Sequence, residues 1–154
     1  MWTMAQRERL LLEHQVLQHN ELTQFSMYYD RPADRYDVLG TTYTNAGNPY
    51  DLWIPVPRGY PDARPPLYVI RPNPLRMASG GLVHALGVSH AMHTLTPGPR
   101  NEVQICHWRD NRWHAGITLA RVLLKGLIWL EAYEQHLATG NPISNFVATM
   151  KEVG

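Results

Sequence analysis

One stretch decides the fold: residues 103–113, which read VQICHWRDNRW. In an extended chain successive side chains point to opposite faces, so Cys106 lies on the side opposite Ile105 and His107. A polar run then ends the extended segment, Trp113 follows, and a long helical pattern begins about four residues later. The sequence therefore predicts that Cys106 sits at the end of a short strand, ahead of a helix.

Cys106 is the first candidate for a catalytic residue, because it is the only cysteine in the chain. A thiolate is the side-chain nucleophile best suited to accept an acyl group as a thioester. A lone cysteine also occurs as a small buried apolar residue with no chemical role. The surrounding sequence has to decide between these two interpretations.

Length and composition predict one soluble domain over residues 1–154, long enough to bury a core. The formal net charge of +1 gives no electrostatic reason to expect nucleic acid or an anionic membrane as a partner. One cysteine cannot form an internal disulfide, which fits a reducing compartment. Charged residues near the N-terminus are unlike a signal peptide, and no apolar run approaches roughly 18 residues. We expect a cytoplasmic protein.

The first half of the chain predicts a helix followed by an antiparallel sheet. Thr3 and Gln6 have the spacing of a capping box, so a helix is expected from there to about Asn20. The hydrophobic period then changes to two. Four strands are expected as a meander, at residues 25–29, 36–44, 50–56 and 67–71. Helices on one face of such a sheet make an α+β fold.

Residues 72–100 are irregular, and a second helix is expected from Gly116 to Ala138, ended by Gly140. Irregular stretches of this length in compact domains are often functional. A helical wheel places Lys125 and His136 on the polar side of the second helix. Two apolar residues, Leu124 and Ile128, fall among these polar ones. Either the tail through Phe146 and Val147 covers them, or they form an exposed patch for a partner.

The order of these features resembles ubiquitin-conjugating (E2) enzymes over residues 3–138. The shared landmarks are Tyr60-Pro61, Pro65-Pro66, Ile105-Cys106 and Trp113, in that order. The resemblance implies a UBC-like fold in which Cys106 receives an acyl group from an E1-like activating enzyme and transfers it to an amine. It implies no metal or cofactor, because the ATP-dependent step belongs to the activating enzyme.

Three features depart from the typical family pattern. The His-Pro-Asn tripeptide is absent, and the nearest equivalent begins at His93, thirteen residues before Cys106. The segment between Pro66 and Cys106 is longer than usual, and two C-terminal helices are missing. These departures are similar to the divergent E2-like proteins of bacterial antiphage (CBASS-type) operons. The group that stabilises the oxyanion is therefore open between His93, Asn101 and the backbone amides of residues 96–100.

The same resemblance implies the partner. It is a ubiquitin-like modifier, or a cGAS-like nucleotidyltransferase, that ends in glycine. Glycine is expected because its bare α-carbon lets a chain end enter a narrow site beside the thiol.

Three alternatives stand beside this interpretation. The first is an E2-like binding module in which Cys106 is merely buried. The second is a cysteine hydrolase, although His107 points away from Cys106 and the helix begins too late to activate the thiol. The third is a metal site built from His84, His90, His93 and Cys106, without any carboxylate or Cys-x-x-Cys pair.

Overall fold

A computed structural model describes residues 1–19 and 21–147, which form an α+β fold with one helix before and one helix after the strands in chain order. The helices are α1 (Met4–His19) and α2 (Leu119–Thr139). The strands are β1 (Phe25–Asp30), β2 (Arg35–Tyr43), β3 (Pro49–Pro55), β4 (Tyr68–Arg71), β5 (Thr94–Leu95) and β6 (Val103–Ile105). Short 3₁₀ turns lie at His84–Leu86, Asp110–Arg112 and Ile143–Asn145. In the described residues, neither helix has the length and apolarity to cross a membrane.

The sheet has six antiparallel strands in the order β1-β2-β3-β4-β6-β5. The first four form the expected meander, but the prediction of a four-stranded sheet was wrong. Strands β5 and β6 extend it, with two and three residues. Strand β6 is the short extended segment that was expected before Cys106, whereas β5, with two residues, is too short to give a period-two signal. Their pairing places the end of β6, and with it Cys106, near the edge of the sheet.

The predicted capping box at the start of α1 is confirmed. The Thr3 N–H donates to Gln6 Oε1 at 2.9 Å, and the Gln6 N–H donates to Thr3 Oγ1 at 3.1 Å. Gln6 Nε2 also donates to the carbonyls of Arg58 and Tyr60, at 2.7 and 2.8 Å. The cap therefore also docks α1 on the loop after β3. The expected last residue of this helix, Asn20, lies outside the described residues.

Helix α2 begins at Leu119, three residues later than expected, because Thr118 is its N-cap. The Thr118 hydroxyl accepts the Arg121 N–H at 3.2 Å. Gly140 ends the helix with φ of 78°, in the left-handed region that glycine enters without strain. Local caps therefore set both ends of this helix, and the predicted end at Gly140 is confirmed.

The wheel prediction for α2 was wrong for two of its polar residues. Lys125 and His136 are buried, with 5% and 6% of their surface exposed. His136 is buried because both ring nitrogens are satisfied by the backbone: Nε2 accepts the Ala78 N–H at 3.0 Å, and Nδ1 lies 2.7 Å from the Asn141 carbonyl.

The two apolar residues on the polar side of α2, Leu124 and Ile128, differ in their exposure. Ile128 is half-buried and packs against the core cluster, whereas Leu124 is 41% exposed. The C-terminal turn packs on α2, with Ile143 and Val147 buried. The tail therefore covers part of the helix and leaves Leu124 at the surface.

One buried carboxylate joins the two helices. Glu13 of α1 is 2% exposed, and its Oε1 accepts the N–H of Leu119, the first residue of α2, at 2.6 Å. Its Oε2 accepts the Tyr60 hydroxyl and lies 3.3 Å from Arg9 Nε. Burial raises the pKa of Glu13, and these partners oppose the rise. Glu13 thus ties together α1, the loop after β3 and the start of α2.

Glu13→Ala should destabilise the fold by about 2–4 kcal/mol, because it leaves the buried Leu119 N–H and Tyr60 hydroxyl without an acceptor. Urea unfolding monitored by circular dichroism measures the change. Glu8→Ala, at an exposed position on the same helix, should stay within about 0.5 kcal/mol of wild type. Equal stability of the two variants would show that Glu13 does not join the helices.

Candidate active site around Cys106

Cys106 directly follows β6 and is half-buried. Its backbone N–H donates to the carbonyl of His93 at 2.9 Å, which continues the β5–β6 ladder by one pair. His93 is half-buried and has φ of 51°, an uncommon conformation for a residue with a side chain. The structure therefore brings His93 beside Cys106, although thirteen residues separate them in sequence.

Asn101 lies at the other end of the β5–β6 hairpin. It is exposed, with φ of 61°, and its N–H donates to the Gly98 carbonyl at 3.0 Å. Five residues of mostly extended chain separate it from Cys106, a span of roughly 15 Å at about 3.3 Å per residue. The structure thus brings together Cys106 and His93 but not Asn101, and it places the loop of residues 96–100 at that same distant end of the hairpin.

The environment of Cys106 combines burial with positive charge. Burial raises the pKa of the thiol, while the charges of Arg64, Arg109 and Lys125 lower it and Asp110 raises it. Arg64 is fixed in place because its Nε donates to Asp110 Oδ1 at 2.7 Å. The net effect is a raised pKa, so Cys106 is a thiol at neutral pH.

His107, the sequence neighbour of Cys106, is unsuited to act as its base. The ring is buried, and Nε2 lies 2.6 Å from the Pro65 carbonyl, so this nitrogen carries the proton and donates it. Burial is the main cause that lowers the pKa of His107 to about 3. The imidazole is therefore neutral at physiological pH and held away from the thiol. This geometry argues against a cysteine hydrolase that uses His107.

Sequence reasoning missed a lysine at this site. Lys125 Nζ donates to the His107 carbonyl at 3.0 Å and lies 3.5 Å from the centroid of the Trp108 ring. Burial and the nearby Arg121 lower the pKa of Lys125 to about 8. A signal was present, because Lys125 comes three residues after Val122 and four before Trp129, and both are fully buried. The helical-wheel prediction placed Lys125 on the polar side because of its charge, not because of its position in the helix.

The landmarks of the family resemblance meet next to the cysteine segment. Trp113 Nε1 donates to the Pro61 carbonyl at 2.9 Å, and its ring lies 6.4 Å from that of Tyr60. Trp108 and Trp113 pack edge to face with centroids 6.1 Å apart. The loop after β3 therefore supports the chain that follows Cys106.

The alternative of a metal site gains no support. In residues 1–19 and 21–147, no three His, Cys, Asp or Glu side chains are grouped so as to hold a metal ion. The rings of His90 and His93 are neighbours, with centroids 5.7 Å apart, but no third ligand completes a site there.

Comparison of the chain with protein-family models finds no match, and comparison with curated proteins finds none. The chemistry of the site therefore follows from its geometry. Cys106 is a half-buried thiol beside three cations, and its neighbouring histidine is locked in a neutral form.

His107→Gln should make the protein less sensitive to acid. A histidine whose folded pKa is lowered contributes stability above its unfolded pKa of about 6.5, and that contribution is lost as the pH falls. Between pH 7.5 and pH 5 the wild type should lose about 2 kcal/mol more than His107→Gln, whose amide can still donate to the Pro65 carbonyl. Urea unfolding at the two pH values measures the difference.

His114→Gln serves as the matched control, because His114 is exposed. It should lose as much stability as wild type. If His107→Gln also loses as much stability as wild type between pH 7.5 and pH 5, His107 takes up protons freely in the folded protein. His107 would then again be a candidate for the base of Cys106.

Proposed function

We propose that the chain is an E2-like conjugating enzyme in which Cys106 carries an acyl group as a thioester. The observation that carries the proposal is the position of the only thiol. It lies half-buried at the end of an edge-proximal strand, three cations lower the pKa of its thiol, and the adjacent His107 is not placed to act as its base. A hydrolase needs such a base to activate water or the thiol, whereas exchange between thioesters does not.

Two balanced steps make up the reaction. In the first, the Cys106 sulfur attacks the thioester of the activating enzyme, a new C–S bond forms, and the old C–S bond breaks. The proton of Cys106 ends on the departing thiol. In the second, an amine attacks the Cys106 thioester, a C–N bond forms, and Cys106 leaves and recovers a proton from the amine. Each step passes through a tetrahedral oxyanion that a nearby donor stabilises.

The arrangement of elements supports this assignment. An N-terminal helix, a meander, a Tyr60-Pro61 loop packed on Trp113, and a long helix after the cysteine follow the order that the family resemblance implies. We propose on this basis a UBC-like fold and one E2-like domain over residues 1–154.

Partners and cellular setting rest on the resemblance. We propose an E1-like activating enzyme as donor, and a ubiquitin-like modifier or a cGAS-like nucleotidyltransferase with a C-terminal glycine as cargo. The setting is bacterial antiphage defence in the cytoplasm. The formal charge of +1 supports a protein partner over nucleic acid or a membrane.

One observation favours the second candidate, an E2-like binding module without catalysis. Burial raises the pKa of Cys106, which leaves little thiolate at neutral pH. The two candidates differ in whether Cys106 forms an adduct, so one experiment separates them.

Incubated with ATP, an E1-like enzyme and a modifier encoded beside it, the protein should gain the mass of the modifier. Intact-mass spectrometry measures the adduct, which a thiol reductant should remove because it is a thioester. Cys106→Ser should form a reductant-resistant oxyester or nothing, and Cys106→Ala should form nothing. Removal of the modifier's last glycine should abolish charging. If the wild type forms no adduct, the binding module is favoured. If free modifier is released and no adduct accumulates, a hydrolase is favoured.

His93→Ala should slow discharge of the thioester to lysine by about 10²–10³-fold, and slow charging less, if the His93 side chain stabilises or orients around the oxyanion. Single-turnover discharge measures the rate. Asn101→Ala is the matched control, because both residues have positive φ, 51° and 61°, and Asn101 lies far from the thiol. Discharge by His93→Ala at the rate of Asn101→Ala and wild type would show that the His93 side chain does not stabilise the oxyanion.

A further inference from the structure

Lys125 is a buried cation that no carboxylate of the described residues pairs with. Its Nζ has one hydrogen bond, to the His107 carbonyl, and rests against the face of Trp108. Among the described residues no Asp or Glu forms an ion pair with it. A carbonyl and an aromatic ring compensate only part of the cost of removing an ammonium group from water.

The missing negative charge belongs to Cys106. Lys125 Nζ donates to the carbonyl of His107, the immediate chain neighbour of Cys106, and the charge of Lys125 lowers the pKa of the Cys106 thiol. While Cys106 is a thiol, the ammonium has no counter-charge. When the thiolate forms, before attack or on departure, the two charges compensate each other. Such a charge, fixed before the reaction, stabilises the developing anion without reorganisation.

We propose that Lys125 is a positioning residue that holds a fixed positive charge beside Cys106 and thereby stabilises its thiolate. This inference rests on the proposed function for its purpose in the reaction. In transthioesterification it stabilises the attacking sulfur, and in aminolysis it stabilises the departing one. The hydrogen bond from Lys125 Nζ to the His107 carbonyl also fixes the backbone next to Cys106.

The other charged groups near the thiol are less suited to this role. Arg64, from the loop before β4, is already paired with Asp110. Arg109 and Asp110, from the segment after Cys106, are both exposed, and solvent screens their charges. Arg121 lies on α2 near Lys125, with its guanidinium 5.8 Å from the Trp108 ring. Lys125 is the one buried cation among the described charges that act on Cys106.

The test is the rate at which iodoacetamide alkylates the protein between pH 6.5 and 9.5. Alkylation reports on Cys106 alone, since the chain has no other thiol, and it requires no partner protein. The variants are Lys125→Met, which removes the charge, and Lys125→Arg, which keeps it at every pH. Arg112→Met, at an exposed site, is the control.

At pH 7 wild type should react about tenfold faster than Lys125→Met, the effect of one nearby charge on a thiol pKa. This ratio should fall towards one as the pH rises through about 8, because Lys125 then loses its proton. Lys125→Arg should keep the tenfold advantage to pH 9.5. Arg112→Met should match wild type throughout.

A ratio of wild type to Lys125→Met that is the same at every pH would overturn the proposal, since a purely structural lysine has that effect. If Lys125→Met does not fold, wild type and Lys125→Arg decide the matter. Lys125→Arg should react as fast as wild type at pH 7 and faster above pH 8, and a constant ratio contradicts the proposal. The alkylation rates and the thioester assay can disagree. If the ratio of alkylation rates depends on pH but no thioester forms, the conjugating function is rejected and the role of Lys125 is kept.

Discussion

The buried carboxylate of Glu13 is the interaction on which the rest of the structure depends. It accepts the first backbone N–H of α2 and the hydroxyl of Tyr60, and Arg9 lies beside it. A carboxylate removed from water is costly unless such donors surround it, so the three elements that supply them are held in one arrangement. The start of α2 fixes where Lys125 lies, six residues further on. The Tyr60 loop in turn holds Trp113, which ends the segment after Cys106.

The site balances two opposing electrostatic effects. Burial favours the neutral thiol, and the nearby cations favour the thiolate. A thiol that stays protonated at rest reacts slowly with oxidants and stray electrophiles, because the thiolate is the reactive form. A fixed ammonium nearby still lowers the cost of forming the thiolate when an acyl donor is in place. A conjugating enzyme needs both properties, because its cysteine has to wait for a specific donor.

Local signals in the sequence predicted much of the fold, and contacts between distant residues account for what was missed. The capping box of Thr3 and Gln6 and the four meander strands depend on neighbours in sequence and were predicted correctly. The short strand before Cys106, β6, was also predicted, but β5 has only two residues, shows no period and exists only through its pairing with β6. The closeness of His93 to Cys106, and the distance of Asn101, follow from the hairpin register, which sequence spacing does not reveal. Lys125 was missed for a different reason, because it was assigned by its charge, although it lies three residues after Val122 and four before Trp129 on the buried side of α2.

The most direct measurement of the central claim is the mass of the protein isolated, under acid and without reductant, from cells that express it with the genes beside its own. Thioester transfer through Cys106 predicts a fraction of molecules carrying a protein adduct. Neutral hydroxylamine should release this adduct, and tryptic peptides should map it to Cys106. Cells that contain only the unmodified chain, although an activating enzyme in the same cells is charged with its own modifier, would contradict a conjugating role.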